Sequence, residues 1–235
     1  MKIMVINPNT SEEMTDHIRR ELEQIKRKET ELTVTCPDKG PVSIESAYDE
    51  ALAIPPTLEL VKKANEEGYD AVILACFSDP GLTAAKEISD ILVVGIQEVS
   101  LRVATTLGHK FTILTMAKER IPAKEHEVWG NKLEGFLGSV RELGMTVLEV
   151  DEKPEQAKKQ ILEVSRKAVE EDGSEVMVLG CAGMVGYAKQ AEEELGVVVV
   201  DPTSVALKYA EAMAEAGIHH SKRAFYSYPP KKLIK

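Results

Sequence analysis

The sequence lacks the features that mark membrane proteins and disulfide-rich secreted proteins. No apolar run approaches the roughly 20 residues that span a bilayer, and residues 1–6 are too short for the core of a signal peptide. Only three cysteines occur, and none belongs to a Cys-x-x-Cys pair, which is typical of a reducing compartment. We therefore expect a cytoplasmic protein that does not bind a membrane.

The chain is also short of positive charge and of cofactor motifs. Its 29 Lys and Arg are outnumbered by 39 Asp and Glu, for a formal net charge of −10, whereas nucleic-acid-binding proteins normally carry a basic face. It contains no GxGxxG after its first strand, no GxxxxGK[ST] and no HExxH. We expect no nucleic-acid partner, no metal and no cofactor, and a small molecule as the substrate.

What the chain does contain is a regular alternation of apolar strands and helices, passed through twice. This order predicts an α/β fold of two lobes, each a parallel sheet with helices on both faces. We expect the last helix, 205–216, to return to the first lobe. The predicted lobes are then 1–97 plus 205–235 and 98–204, with the active site in the cleft between them.

Several local predictions follow from capping and breaking residues. Thr10 or Ser11 should cap the first helix, and Asp79 should cap a helix that starts at residue 82. Pro55-Pro56 should interrupt a helix that restarts at Thr57. In the second half we expect a weak helix at 132–143 and a strand at 145–150.

Two cysteines occupy matching places in the two halves. A shift of 105 residues aligns residues 70–76 (DAVILAC) with 175–181 (EVMVLGC), so that Cys76 falls on Cys181. The same shift aligns the apolar strand at 93–96 with 198–201. A duplicated α/β unit accounts for this register, and the carboxyl ends of parallel strands are where such folds bind ligands.

Two thiols placed in this way suit proton transfer to and from carbon. A single free cysteine is usually a small buried apolar residue, but two at equivalent strand ends before helices favour chemistry, because a helix N-terminus lowers a thiol pKa. A thiolate on one face of a carbon acid and a thiol on the other would invert that carbon. The backbone N–H groups that follow each cysteine would stabilise the resulting oxyanion, at Phe77, Ser78, Ala182 and Gly183.

Polar residues close the first strand of each half. Asn7 and Asn9 follow the first strand and Thr115 ends its counterpart. Asparagine at such a place is commonly turn chemistry, yet the matched position also predicts contact with the substrate. Cys36 has no counterpart in the second half, the five histidines form no metal spacing, and the basic tail with Lys231, Lys232 and Lys235 is expected to be solvated or used in packing or assembly.

Four motifs resemble those of the hydantoin racemases, within the aspartate/glutamate/hydantoin racemase superfamily. They are 6–11 (INPNTS) with Met14-Thr15, 40–45 (GPVSIE), 75–82 (ACFSDPGL) and 179–184 (LGCAGM). The resemblance covers the chain in order up to about residue 218. It implies two flavodoxin-like lobes related by pseudo-twofold symmetry. Relatives assemble into several oligomeric states, and we expect this chain to form a homo-oligomer.

The resemblance also implies a reaction. It is the cofactor-independent racemisation of 5-substituted hydantoins at C5, with Cys76 and Cys181 as the two bases. Allantoin is itself a 5-ureido hydantoin, and the motifs do not separate the two substrates. We expect the loop at 40–45, through Val42 and Ile44, to face the 5-substituent.

Other functions remain open on the sequence alone. Amino-acid racemases of the superfamily carry Cys-Asn-Thr and Cys-Thr-His at these places, whereas this chain has Cys-Phe-Ser and Cys-Ala-Gly, which favours a neutral ring over a charged amino acid. A decarboxylase of disubstituted malonates would need only one cysteine. A thiol redox protein or a non-catalytic binding protein of the same fold is the alternative from another class.

Overall fold

The computed structural model describes residues 1–230 and contains two parallel sheets of four strands each. The last five residues of the predicted first lobe, including Lys231, Lys232 and Lys235, lie outside the described residues. None of the helices in the described part of the chain combines the length and the apolar character needed to cross a membrane.

The first sheet is formed by β1 to β4. Its strands are β1 (Lys2–Ile6), β2 (Glu31–Thr35), β3 (Ala71–Leu74) and β4 (Leu92–Gly95), in the order β2-β1-β3-β4. The intervening helices are α1 (Glu12–Ile25), α2 (Ala47–Glu66) and α3 (Leu82–Ile88), and α4 (Ile96–Leu107) follows β4. The Ser11 hydroxyl caps α1 by accepting a hydrogen bond from the Met14 N–H, as one of the two predicted caps.

The second sheet repeats this order as β6-β5-β7-β8. Its strands are β5 (Phe111–Thr115), β6 (Leu137–Glu142), β7 (Val176–Leu179) and β8 (Val198–Val200). Its helices are α5 (Ile121–Gly130), α6 (Val147–Glu152), α7 (Pro154–Asp172) and α8 (Ala188–Leu195). The last helix, α9 (Pro202–Glu215), follows β8. The shared strand order confirms the predicted fold class of two similar α/β lobes.

One apolar core joins the two sheets. Alternate residues of β1 and β3, such as Ile3 and Ile73, pack in the same cluster as Ile113 of β5 and Val178 of β7. The helix α4 contacts β4 on one side and β7 and β8 on the other. The opposite face of the first sheet, with Met4 and Val72, forms a separate cluster with α2. The sheets are therefore not independently cored bodies.

The last helix packs on the first sheet, where α9 contacts β3, β4, α1 and α4. Beyond it, the tail runs beside the edge strand β4, and the Val93 N–H donates to Nε2 of His220 at 2.9 Å. Lys222 donates to the carbonyl of Glu87 at 3.2 Å. The domain boundaries 1–97 plus 205–235 and 98–204 stay a prediction, since α4 belongs equally to both sides.

Two predictions in the second half were wrong. Residues 137–142 form the edge strand β6, where a helix was expected, and Arg141 ties this strand to Asp172 at the end of α7 with an Nε–Oδ2 distance of 2.6 Å. Residues 147–152 form α6, where a strand was expected. Thr146 and Glu149 build a capping box at its start, and this four-residue signal outweighs the apolar run that suggested a strand.

The predicted break at Pro55-Pro56 was also wrong, because α2 runs through both prolines. A proline deletes an N–H but has a φ that a helix tolerates. The two missing N–H groups remove the intrahelical donors to the Ala51 and Leu52 carbonyls. One residue further on, the Thr57 hydroxyl adds a bond to the Ala53 carbonyl at 2.8 Å.

Candidate active site

A cavity of about 220 Å³ lies where the carboxyl ends of β1, β3, β5 and β7 converge. Both Cys76 and Cys181 line it, each from the residues just after the central strand of its own sheet. Parallel sheets place their ligands at this edge. The juxtaposition that the repeat predicted is therefore present in the structure.

Most of the predicted substrate-binding residues line the same cavity. They are Asn7, Asn9, Ile44, Phe77, Ser78, Thr115 and Ala182. Gly183 does not line it, because this residue packs behind Cys181: a Cβ added there would lie 3.7 Å from the Cys181 sulfur and 3.4 Å from the Met14 methyl group.

The asparagines serve the turn and the cavity together. The Asn7 amide donates to Oδ1 of Asn9 at 2.8 Å and to the Thr15 hydroxyl at 2.9 Å. The Asn9 Oδ1 also accepts from the Ser11 N–H at 2.9 Å. Both side chains are almost fully buried, so the turn chemistry fixes their positions in the cavity wall.

Cys76 lies in a loop of consecutive turns between β3 and α3. The Asp79 N–H donates to the Cys76 carbonyl at 3.0 Å, and the Leu82 N–H donates to the Asp79 carbonyl at 3.0 Å. The Cys76 sulfur lies 3.5 Å from the Ser78 hydroxyl. We call residues 76–81 the Cys76 loop.

The expected lowering of the thiol pKa by a helix N-terminus was wrong for Cys76. Burial raises the pKa of this thiol, while hydrogen bonds from Ser78 and the charge of Lys124 act in the opposite direction and are outweighed. The reason is local geometry, since α3 begins only at Leu82 and the field of a helix terminus falls off within about one turn.

Cys181 precedes a single turn of 3-10 helix at Ala182–Met184 and is almost fully buried. The next α-helix, α8, begins at Ala188. None of the three cysteines, all of which lie in the described part of the chain, forms a disulfide.

Asp79 was predicted to cap α3, but it caps α4 instead. Gly81, at φ 75°, precedes α3, which has no side-chain cap. The Asp79 carboxylate instead accepts from the N–H groups of Gln97 at 3.1 Å and Glu98 at 2.7 Å, so it caps α4. Burial raises the pKa of Asp79 to about 7.

In the second lobe the connecting aspartate lies at the start of the helix and bonds back to the cysteine loop. Asp201 follows β8 and caps α9 by accepting from the Thr203 N–H at 3.0 Å, and its other oxygen accepts from the Gly186 N–H at 3.0 Å, in the loop after Cys181. Burial raises the pKa of this carboxyl too. Each cysteine loop is thus tied by one buried aspartate to the helix that leaves the neighbouring strand.

Charged residues on the cavity wall were not predicted from the sequence. Lys124 and Arg120 reach it from the second lobe and Glu50 from the first, and Arg120 forms a partly buried ion pair with Glu50 across the cleft. Their signal in the sequence was only general, because Arg120 and Lys124 lie at the start of the helical segment after β5, as Met14 lies at the start of the helix after β1. Within residues 1–230, no cluster of three or more His, Cys, Asp or Glu side chains has the arrangement of a metal site.

A family model described as Asp/Glu/Hydantoin racemase matches residues 3–210. The chain belongs to this family. It is therefore a racemase, which is an isomerase. The matched range contains almost all of both sheets and ends within α9.

Individual relatives resemble this racemase over nearly its full length. A hydantoin racemase of Pseudomonas sp. (strain NS671) is 40% identical over 232 residues, which cover 99% of this chain and 93% of that protein. The structure of an allantoin racemase from Klebsiella pneumoniae superposes with a TM-score of 0.96 at 33% identity, covering 100% of this racemase and 96% of that chain. An arylmalonate decarboxylase, at a TM-score of 0.65 and 18% identity, covering 96% of this chain and 97% of its own, shares the fold.

Proposed function

We propose that this racemase acts on 5-substituted hydantoins or allantoin by cofactor-independent proton transfer at C5, with Cys76 and Cys181 as the two bases. The observation that carries the proposal is that both thiols line one cavity from equivalent strand ends. A ring bound between them would present C5 to a sulfur on each side.

In this mechanism one cysteine is a thiolate and the other a thiol. The thiolate removes the proton from C5, the electron pair moves onto the neighbouring carbonyl oxygen, and the opposite thiol protonates the far face. The reverse reaction starts from the exchanged protonation states. The enolate oxygen needs fixed donors, and the first N–H groups of the Ala182–Met184 turn have no acceptor within the turn.

The substrate class is supported by the residues beside the thiols and by the relatives. Phe77 and Ala182 follow the cysteines where a charged amino acid would need polar partners. The Pseudomonas relative is a hydantoin racemase and the Klebsiella structure is of an allantoin racemase. Ile44 supplies an apolar wall suited to the 5-substituent.

The test is incubation of single enantiomers of a 5-substituted hydantoin, and separately of allantoin, in D₂O. Loss of optical rotation should accompany deuterium incorporation at C5. Cys76→Ala and Cys181→Ala should each abolish racemisation while retaining exchange of opposite enantiomers. Cys36→Ala is the matched control and should behave as wild type, because Cys36 does not line the cavity.

Full racemisation by either active-site variant would rule out the two-base mechanism. Racemisation of aspartate or glutamate in place of hydantoins would instead identify an amino-acid racemase.

A further inference from the structure

A buried lysine from the second lobe holds the loop that carries Cys76. Lys124 lies on α5 and is only 4% exposed. Its ammonium donates to the Phe77 carbonyl in the Cys76 loop, forms an ion pair with Glu127 at 2.8 Å, and lies 5.4 Å from the centre of the Phe77 ring. Burying an ammonium group is costly unless ion pairs and hydrogen bonds compensate for its lost hydration.

The corresponding helix of the first lobe lines the cavity with an uncharged residue. Met14 lies on α1, the helix after β1, as Lys124 lies on the helix after β5, and both line the cavity. Met14 packs beside the other cysteine loop, where its methyl group would lie 3.4 Å from a Cβ added at Gly183. Each helix therefore reaches the cysteine loop of the opposite lobe. α5 brings the Lys124 ammonium, whereas α1 brings Met14 and the His17 ring, whose Nε2 lies 3.3 Å from the Val185 carbonyl.

We propose that Lys124 is a positioning residue for Cys76: it fixes the Cys76 loop through the Phe77 carbonyl and stabilises the thiolate form of that cysteine. The inference rests on the proposed two-base function. It gives the two bases different origins for their basicity, although they stand at equivalent places in the fold.

The charges around Cys76 support a specific effect of Lys124. The charged and titratable groups near this thiol come from its own loop, from α4, from α5 and from the cavity wall: Asp79, Glu98, Lys124, Glu127, Arg120, Glu119, Glu50, Glu45 and Cys181. Arg120 is paired with Glu50, and Glu127 also accepts from the Gln97 amide. Of this set, Lys124 lowers the pKa of Cys76 and Asp79 raises it.

The equilibrium constant of a racemisation is one, so a weaker base at Cys76 must lower kcat/KM equally for both enantiomers. Steady-state rates therefore cannot show which cysteine is affected. Single-cysteine variants can, because each retains exchange of only one enantiomer under the proposed mechanism.

The experiment measures C5 deuterium exchange after adding Lys124→Met to each single-cysteine background. In Cys181→Ala, where Cys76 works alone, exchange should fall about tenfold at neutral pH, as expected for a pKa rise of about one unit. In Cys76→Ala, exchange should stay within about twofold. Lys124→Arg, which keeps the charge, should recover most of the loss.

Lys86→Met is the matched control. Lys86 is also buried at 4% exposure and paired with a glutamate, Glu98, but it does not line the cavity. It should leave exchange in both backgrounds unchanged. Far-UV circular dichroism of every variant checks that the fold is retained.

A second readout does not depend on the reaction. The rate of Cys76 alkylation by iodoacetamide, followed by peptide mass spectrometry across pH, reports the thiolate fraction. Its midpoint should rise by about one pH unit in Lys124→Met and stay unchanged in Lys86→Met. Equal exchange losses in both backgrounds, or an unshifted midpoint, would overturn the role of Lys124.

The two proposals fail in different ways. A wild-type protein that exchanges no hydantoin proton but shows the shifted alkylation midpoint overturns only the proposed reaction. Normal racemisation with an unshifted midpoint overturns only the assignment of Lys124.

Discussion

Gly95→Ala should destabilise the protein strongly, although its backbone accepts alanine. Gly95 has φ −91° and ψ 134°, which any residue adopts. A Cβ there would lie 2.3 Å from Oδ2, 2.4 Å from Cγ and 2.6 Å from Oδ1 of Asp79. The glycine is required because the capping carboxylate occupies the space of its side chain.

The expected loss follows from the hydrogen bonds that the carboxylate must give up. Relieving the contact requires a shift of about 1 Å, since normal carbon contacts are about 3.5–4.0 Å. That shift breaks the bonds from the Gln97 and Glu98 N–H groups, now 3.1 and 2.7 Å long. Hydrogen bonds to charged groups contribute about 1.5–3 kcal/mol each, so the two bonds imply a loss of about 3–6 kcal/mol when Asp79 is ionised.

Urea unfolding followed by circular dichroism measures this loss as a lower midpoint with an unchanged slope. Gly130→Ala is the control, because a Cβ at Gly130 meets no atom within 4 Å, and it should be neutral or stabilising by up to about 1 kcal/mol. In an Asp79→Ala background, Gly95→Ala should cost almost nothing. A free energy of unfolding within about 0.5 kcal/mol of the wild-type value, or additive losses in the double variant, would refute the reasoning.

Three further predictions concern charge and the thiol. Burial raises the pKa of Asp79 to about 7 from its ordinary 3.8, so folding favours the protonated carboxyl. The stability that this group contributes is full below pH 4 and falls by at most about 1.4 kcal/mol per pH unit up to about pH 7. Urea midpoints measured across this pH range should lose the slope in Asp79→Asn. Ser78→Ala removes a donor to the Cys76 sulfur, so the thiol pKa should rise. The acid limb of C5 exchange in the Cys181→Ala background, where Cys76 works alone, should move up by about half a pH unit, and an unmoved limb would contradict this. Glu50→Gln breaks the pair with Arg120 and should lower stability by about 1 kcal/mol, an effect that disappears in thermal melts with Arg120→Gln already present.

The sequence predicted the layout of the site better than its electrostatics. The strand ends with Cys76 and Cys181, the asparagine turn and Thr115 all reach one cavity, because strand order and parallel direction follow from local pattern. Lys124 and Arg120 could not be placed, since their role depends on a helix of one lobe reaching a loop of the other.

The failed local predictions have related causes. The edge strand Leu137–Glu142 is held by pairing with β5 and by Arg141 contacts that are distant in sequence. Asp79 carries a capping residue type, and the sequence around it resembles a helix start, but its φ of 46° turns the chain so that the side chain caps α4 instead. By contrast, the capping box of Thr146 and Glu149 was legible in the sequence and should have outweighed the apolar pattern.

The single apolar core shared by both sheets bears on the origin of the chain. Without the second sheet, α4 would lose its contacts with β7 and β8, so a one-lobe ancestor would have needed a second copy to cover that side of the helix. A symmetric pair of identical lobes presents the same helix residue to both thiols. Only after the two copies were joined into one gene could α1 and α5 diverge, giving two formerly identical thiols separate surroundings.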